Sequence, residues 1–313
     1  MPVASGPDRI VKTKGSDLLR DLDLTDAELG CLLDLAAAVK RSPEDYTRAL
    51  AGKSIALLFE KPSLRTRLTF ELAIKQLGGD SIFVEAPIGV REPLKDVARN
   101  LDRWVNGIVA RVFSQATIDA LAEWSSVPVI NALSDLFHPC QALADMQTVR
   151  ERFGELRGLK LAFIGDGNNV AHSLMLSSLR LGMDFALGCP AGYSPNPDIV
   201  AQAERLAGAV GASLAIVHEP AEALRGAHAV YTDVWASMGQ EQEAAIRRRA
   251  FHPYQVNDSL FALARPDAIF MHCLPAKRGE EVADSVMECG RSAVFDQAEN
   301  RLHAQKALLL MML

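Results

Sequence analysis

The chain is short of cysteine, of net positive charge, of long apolar runs and of repeats. Its five cysteines, Cys31, Cys140, Cys189, Cys273 and Cys289, are scattered over 313 residues, odd in number and without a Cys-x-x-Cys pair. Such spacing excludes a disulfide framework and a cysteine-rich zinc site, and points to reduced thiols. The formal charge of −6 and a pI near 5.7 leave no basic footprint for nucleic acid or an anionic membrane, although a small anion needs only a local cluster of arginine. No apolar run is long enough to span a bilayer. The opening Met-Pro-Val-Ala-Ser-Gly-Pro-Asp lacks the charged-then-apolar order of a secretory signal. A cytoplasmic location is therefore expected. Internal repeats and low-complexity stretches are absent as well.

What is present suffices for about two domains, since 49% of the residues are hydrophobic. Between residues 23 and 41 an Asp/Thr start is followed by Leu29, Leu32, Leu33, Ala36 and Val39 at helical spacing. Strand-like runs at 54–60, 81–84, 107–113 and 127–130 then alternate with helical patterns at 65–77, 93–105, 115–124 and 139–153. That alternation predicts an α/β fold with a parallel sheet flanked by helices. Gly154 to Gly158 reads as a boundary, and beyond it strands at 159–164, 185–188, 214–217, 229–232 and 268–273 predict a second domain of the same class. Residues 297–313 read as a helix with an apolar tail, too short to cross a membrane and suited to packing on a core.

The residues with the most chemistry in them stand at the ends of these strands. Pro-Ser-Leu-Arg-Thr-Arg-Leu at 62–68 joins a strand to a helix. Ser63 is placed as the N-cap, so free N–H groups, the hydroxyls of Ser63 and Thr66 and the guanidinium groups of Arg65 and Arg67 are expected to converge on a phosphate. Arg111, His138-Pro-Cys-Gln141, Asp233 to Gly239 and His272-Cys-Leu-Pro275 are polar where strands end and helices begin, on the side where open parallel sheets bind ligands. Taken singly, His138 and Asp233 also read as helix caps and Cys273 as a small core residue. Gly165-Asp-Gly-Asn-Asn169 resembles the opening of a dinucleotide fingerprint, but Val170 replaces its third glycine and no acid follows the next strand, so no nicotinamide cofactor is expected.

Seven ordered blocks then identify a family: PSLRTR at 62–67, DVARNLDRWVNGIVAR at 96–111, HPCQALAD at 138–145, GDGNN at 165–169, DVWASMGQE at 233–241, HCLPAKRGEE at 272–281 and AENRLHAQKALL at 298–309. Across nearly the whole chain the sequence resembles the aspartate/ornithine carbamoyltransferase family, and most closely its ornithine branch. The resemblance implies transfer of a carbamoyl group from carbamoyl phosphate to the side-chain amine of L-ornithine, giving L-citrulline and phosphate in arginine biosynthesis. Residues 1–150 would bind carbamoyl phosphate and 151–295 ornithine, with 296–313 a C-terminal helix returning to the first domain. By the same matching Ser63, Leu64 through its backbone, Arg65 and Thr66 hold the phosphate and Arg111 bridges phosphate and carbamoyl oxygen. His138 and Gln141 address the carbamoyl group and Arg301 reaches in from the chain's end. Asn169, Asp233, Ser237 and Met238 surround the amino-acid head, with Cys273 and Leu274 beside the side-chain nitrogen. Arg111, His138, Asp233 and Cys273 carry the catalytic roles. No metal or cofactor is implied, and the partners are the two small substrates and further copies of the chain, a homotrimer or a multiple of trimers.

Two positions depart from the family pattern. Leu64 stands where threonine is frequent, and the loop 86–93 has Pro87 where many relatives carry a glutamine that reaches a neighbouring subunit; Arg91 is the nearest cation to take its place. Aspartate, N-acetylornithine and putrescine are the alternative acceptors, and a non-catalytic carbamoyltransferase-like subunit is the alternative from another class. The run Arg247-Arg248-Arg249 is open between an interface and a solvated helix face.

Overall fold

Strands separated by helical stretches cannot close hairpins, so they pair in parallel with helices as the crossovers. The computed structural model describes residues 17–236 and 241–313, and it follows this rule twice. The chain forms two units: one takes everything up to Gln147 together with Asn300–Leu313, the other Thr148–Glu299.

The first unit begins with α1 (Asp26–Arg41), where Thr25 and Glu28 form a reciprocal capping box and Leu29, Leu32, Leu33, Ala36 and Val39 are buried. There follow β1 (Ser54–Phe59), α2 (Leu64–Gln76), β2 (Asp80–Glu85), α3 (Leu94–Trp104), β3 (Gly107–Arg111), α4 (Gln115–Glu123), β4 (Val129–Leu133) and α5 (Pro139–Phe153). The strand order is β2-β1-β3-β4 and every pair is parallel, with Phe59 opposite both Glu85 and Arg111. The inner strands β1 and β3 are covered on both faces, which is why they read as nearly unbroken apolar runs. Ala56, Leu58, Ile108 and Ala110 point to one face, against Ala98 of α3 and Ile118 and Leu121 of α4. Ile55, Leu57 and Phe59 alternate to the other and are buried there, as are Phe70 and Ile74 of α2.

The chain enters the second unit within α5. It continues through β5 (Lys160–Ile164), α6 (Asn169–Arg180), β6 (Asp184–Gly188), α7 (Pro197–Val210), β7 (Leu214–Val217), α8 (Pro220–Leu224), β8 (Ala229–Thr232), α9 (Ala244–Phe251), α10 (Asp258–Phe261), β9 (Ile269–His272), α11 (Asp284–Met287) and α12 (Val294–Met312). The order β7-β6-β5-β8-β9 is again wholly parallel. Ala162, Ile164, Val230 and Phe270 pack with Trp235, Phe251 and Val286 in its core. The helices α8, α10 and α11 have four or five residues each, too few turns for an apolar stripe to announce them in the sequence.

The last part of α12 belongs to the first unit, as the resemblance implies. Apart from Leu302, every residue from Asn300 to Leu313 is buried, so this helix lacks the wet face of a surface helix. Lys40 Nζ donates to Asn300 Oδ1 at 2.8 Å, and Lys53 Nζ donates to the carbonyl of Leu313. The helix begins at Val294 rather than 297. No helix among the described residues is long and apolar enough to cross a membrane.

The turn after β5 explains the incomplete dinucleotide fingerprint. Gly167 N–H donates to the Tyr193 carbonyl at 2.9 Å, and a Cβ at Gly167 would lie 2.3 Å from Pro195 N and 2.5 Å from Ser194 C. The glycine is required by backbone lying against backbone, not by a pyrophosphate. Gly167→Ala is expected to cost about 1–3 kcal/mol through overpacking, and a melting temperature equal to that of the unaltered protein in scanning calorimetry would contradict this packing.

Candidate functional site

In each unit the winding reverses direction at one place, and the crevice this leaves lies at the carboxyl ends of the two strands involved. In the first unit the strands are β1 and β3; in the second they are β5 and β8. Most of the sequence-selected residues that the structure describes stand at or beside these two places.

Ser63 caps α2 with an extended backbone, φ −160° and ψ 106°, and its Oγ accepts from Thr66 N–H at 3.3 Å. Leu64 occupies the first helical position with its side chain 71% exposed, so only its backbone faces the turn usefully. Thr66 is buried, and its Oγ1 accepts from Arg301 Nη2 at 2.8 Å. Arg65 is half-buried in the same turn. Arg67 departs from expectation: it is exposed, its Nε donates to Glu71 Oε1 at 3.0 Å, and its guanidinium lies 3.7 Å from the centroid of the Phe83 ring. The i, i+4 spacing to Glu71 turns it along the helix and away from the turn.

Arg111 ends β3 and is buried, as are His138, Gln141 and Arg301. Pro139 opens α5, where its missing N–H is no loss. Burial, then the charges of Arg301 and Arg111, press the His138 imidazole well below its ordinary range, which keeps the ring neutral. Gln141 Nε2 donates to Asp145 Oδ1 at 2.7 Å, while its buried Oε1 accepts no hydrogen bond. The loop carrying His138 is braced from below: Phe137 N–H donates to Ser134 Oγ at 3.1 Å, and Ser134 Oγ donates to Gln115 Oε1 at 2.6 Å. Cys140 donates to the Asn131 carbonyl at 3.3 Å, and burial pushes its pKa up to about 12, so it stays a thiol.

Sequence reasoning passed over Lys61. It stands at the end of β1 with its ammonium 4.4 Å from the centroid of the Phe113 ring, and burial followed by Arg111 lowers its pKa. Its only signal was adjacency to the phosphate turn.

In the second unit Asp233, the first residue after β8, is buried. Its Oδ1 accepts from Val234 N–H at 2.8 Å and from Cys273 Sγ at 3.1 Å, and its Oδ2 from Asn168 Nδ2 at 3.0 Å. Asn168, the cap of α6, is thus the direct partner of Asp233. Asn169 follows as the first helical residue. Leu274 has φ +60°, and its N–H donates to His272 Nδ1 at 2.9 Å. That bond leaves the proton of the ring on Nε2, which faces the buried Glu281 Oε1 at 3.2 Å. Ser237 and Met238 lie outside the described residues.

Asp233, His272 and Cys273 bring one metal-capable atom each within 4.8 Å of one another, a cluster that sequence spacing concealed. Both ring nitrogens of His272 and the thiol of Cys273 are already engaged in the hydrogen bonds above, so internal bonding accounts for the arrangement. Arg247 also departs from the solvated face considered for its run. It is buried and its Nη1 donates to Asp166 Oδ2 at 2.7 Å, while Arg248 and Arg249 are exposed.

Comparison with known proteins covers both units. Residues 16–151 match the carbamoyl-P binding domain of aspartate/ornithine carbamoyltransferase, and residues 157–312 its Asp/Orn binding domain. The chain is 49% identical over 309 residues to the ornithine carbamoyltransferase of Thermococcus kodakarensis, covering 97% of this chain and 98% of that one. It is 47% identical over 309 residues to a protein of Pyrococcus furiosus named ornithine carbamoyltransferase, anabolic, with the same coverage. The solved ornithine carbamoyltransferase from Pyrococcus furiosus superimposes with a TM-score of 0.94 at 46% identity, over 97% of this chain and 98% of that chain.

The His138 environment has a measurable sign. In the unfolded chain an imidazole binds its proton near about 6.5, whereas the folded protein holds His138 neutral below that value. Stability from this group is therefore lost as pH falls through about 6.5 toward the folded pKa. The ring ¹⁵N shifts of His138 are expected to stay those of neutral imidazole at pH 6; a titration midpoint at about 6.5 or above would refute the arrangement.

Proposed function

The chain belongs to the aspartate/ornithine carbamoyltransferase family, and from that membership we infer that it transfers the carbamoyl group of carbamoyl phosphate to the side-chain amine of L-ornithine, releasing L-citrulline and phosphate. The reading is carried above all by one observation, the burial of Arg111, His138, Gln141 and Arg301 beside the capped turn of α2. Attack by the neutral amine forms the C–N bond and places negative charge on the carbamoyl oxygen; the bond from the carbamoyl carbon to the bridging oxygen of the phosphate then breaks, so that the charge passes to the departing phosphate, which takes up the proton the nitrogen loses. Donors fixed in advance around that charge lower the barrier because they need not reorganise.

In this scheme Ser63, Arg65, Thr66 and the backbone of Leu64 bind the phosphate, and Arg111 spans phosphate and carbamoyl oxygen. A neutral His138 donates from one nitrogen without adding charge, and the open acceptor at Gln141 Oε1 suits the carbamoyl N–H₂. Arg301 completes the cationic wall. Residues 1–150 with the C-terminal segment 296–313 thus serve carbamoyl phosphate, and residues 151–295 serve the amino acid. There Asn169, Asp233, Ser237 and Met238 bind the head group, and Cys273 with Leu274 receives the side-chain nitrogen. An anionic Asp233 with a thiol beside it favours an amine-bearing acceptor over a dicarboxylate such as aspartate. The named anabolic relative and the direction of the chemistry support a cytoplasmic role in arginine biosynthesis.

Assembly as a homotrimer or a multiple of trimers is supported by the outer surface of the first unit. Leu64, Leu68 and Leu72 form an exposed stripe along α2, and Ile82 and Val84 are exposed on the edge strand β2. Unpaired strand edges and apolar stripes of this kind are ordinarily covered. A native mass near three times the 34.0 kDa chain, lowered by a Leu68→Glu, Leu72→Glu double substitution in light scattering, is expected; a monomeric unaltered protein would overturn the assembly.

The activity is tested by supplying carbamoyl phosphate with ornithine, N-acetylornithine, aspartate or putrescine and measuring the ureido product. Ornithine is expected to be strongly preferred, with Arg65→Ala raising chiefly the KM for carbamoyl phosphate and Cys273→Ala chiefly impairing the use of ornithine. Absence of citrulline from the unaltered protein defeats the reading, and equal effects of both substitutions on both substrates defeat the assignment of residues.

A further inference from the structure

Arg247 is an arginine inside the second unit that the proposed chemistry leaves without a task. It sits on α9 with its side chain 8% exposed and faces Asp166, whose side chain is 12% exposed. Its Nη1 donates twice, to Asp166 Oδ2 at 2.7 Å and to the Trp235 carbonyl at 3.1 Å, and its Nε donates to Glu243 Oε2 at 3.1 Å. The guanidinium lies 5.0 Å from the centroid of the Tyr193 ring. Phe251 packs edge-on to Tyr193 at 4.7 Å and stacks with Trp235 at 6.2 Å, so the ring that meets the cation is itself held in an aromatic cluster.

The places it joins matter more than its burial. Asp166 belongs to the turn after β5, which carries Asn168 and Asn169; Trp235 lies two residues beyond Asp233, in the turn after β8. These are the two sides of the crevice in this unit. One planar guanidinium with several fixed donors reaches both, which an ammonium cannot do with the same geometry. Asp166 also stands near Asp233 and Glu243, whose charges add to burial in raising its pKa, while Arg247 opposes them. With Arg247 in place, the carboxylate of Asp166 is matched and Asp233 is the acid left for a substrate amine.

We propose that Arg247 is a positioning residue for the amino-acid half of the site, holding the turns after β5 and β8 in the relation that lets Asn168 meet Asp233. This rests on the reading of the second unit as the ornithine-binding half. Arg247 does not touch the reacting atoms; it acts through Asp166 and the Trp235 carbonyl.

The test is steady-state kinetics on the full-length protein with each substrate varied in turn, alongside thermal denaturation. Arg247→Met is expected to raise the KM for ornithine about tenfold or more while the KM for carbamoyl phosphate stays within about twofold, a split that general loss of structure would not produce. Arg247→Lys should recover part of the ornithine affinity, since it keeps the charge opposite Asp166 but not the second bond. Should Arg247→Met fail to fold, Arg247→Lys and Asp166→Asn carry the test, each raising the ornithine KM selectively. A folded variant with unchanged ornithine KM, or with both KM values raised equally, overturns the proposal while leaving the family activity standing. Unaltered protein that forms no citrulline overturns that activity and this inference together.

Discussion

The bond from the Arg301 guanidinium to the Thr66 hydroxyl links residues 235 positions apart and governs the character of the first unit. Arg301, 3% exposed as a residue, has given up most of its hydration, and the Thr66 hydroxyl is one of the groups that replace it. Arg111, at 7%, is buried likewise. Much of what surrounds these two cations follows from them. Burial first, and then the two positive neighbours, keep His138 neutral, and burial followed by Arg111 lowers the pKa of Lys61. On the proposed reading, two buried cations beside a neutral ring suit the anionic charge that grows in the transition state of carbamoyl transfer. The bond also fits the burial of α12 almost all round from Asn300 onward, since the segment that carries Arg301 runs through the interior of the unit.

The second unit uses the same winding with the opposite sign of charge. At its crevice stand Asp166, Asp233 and, behind the Cys273–Leu274 turn, Glu281. Each is managed differently. Asp166 is matched by a buried arginine, Glu281 faces His272, and Asp233 is held by Asn168, Cys273 and the Val234 backbone N–H, none of which is a cation. No cation is among these partners of Asp233. On the proposed assignment of residues, that favours an amine acceptor over a dicarboxylate on electrostatic grounds.

Much of this was legible before any coordinates. The five buried residues of α1 stand at their helical spacing, Ser63 is an N-cap by residue type and position, and β1 and β3 read as covered strands because they are apolar without alternation. Each of these is settled within a few residues by backbone hydrogen bonding or by the pitch of an element. The misjudged positions are of another kind. Arg67 has the residue type for phosphate but finds Glu71 one turn away; Arg247 lies in a run of three arginines that looks wet, and only the packing of α9 buries the first of them. Asn168 and Asp233 are 65 positions apart, and no local rule joins them.

The alternation of strand and helix, the helix caps and the order of the chemistry-bearing blocks were determined by the sequence alone, since each depends on neighbours along the chain. Which charges face one another was decided only by the tertiary structure. In a parallel sheet the order of strands in space is not their order in sequence: β5 lies between β6 and β8. The residues that meet at a crevice are therefore chosen by where the winding reverses, and the energy of a buried charge depends on that meeting rather than on the residue that carries it.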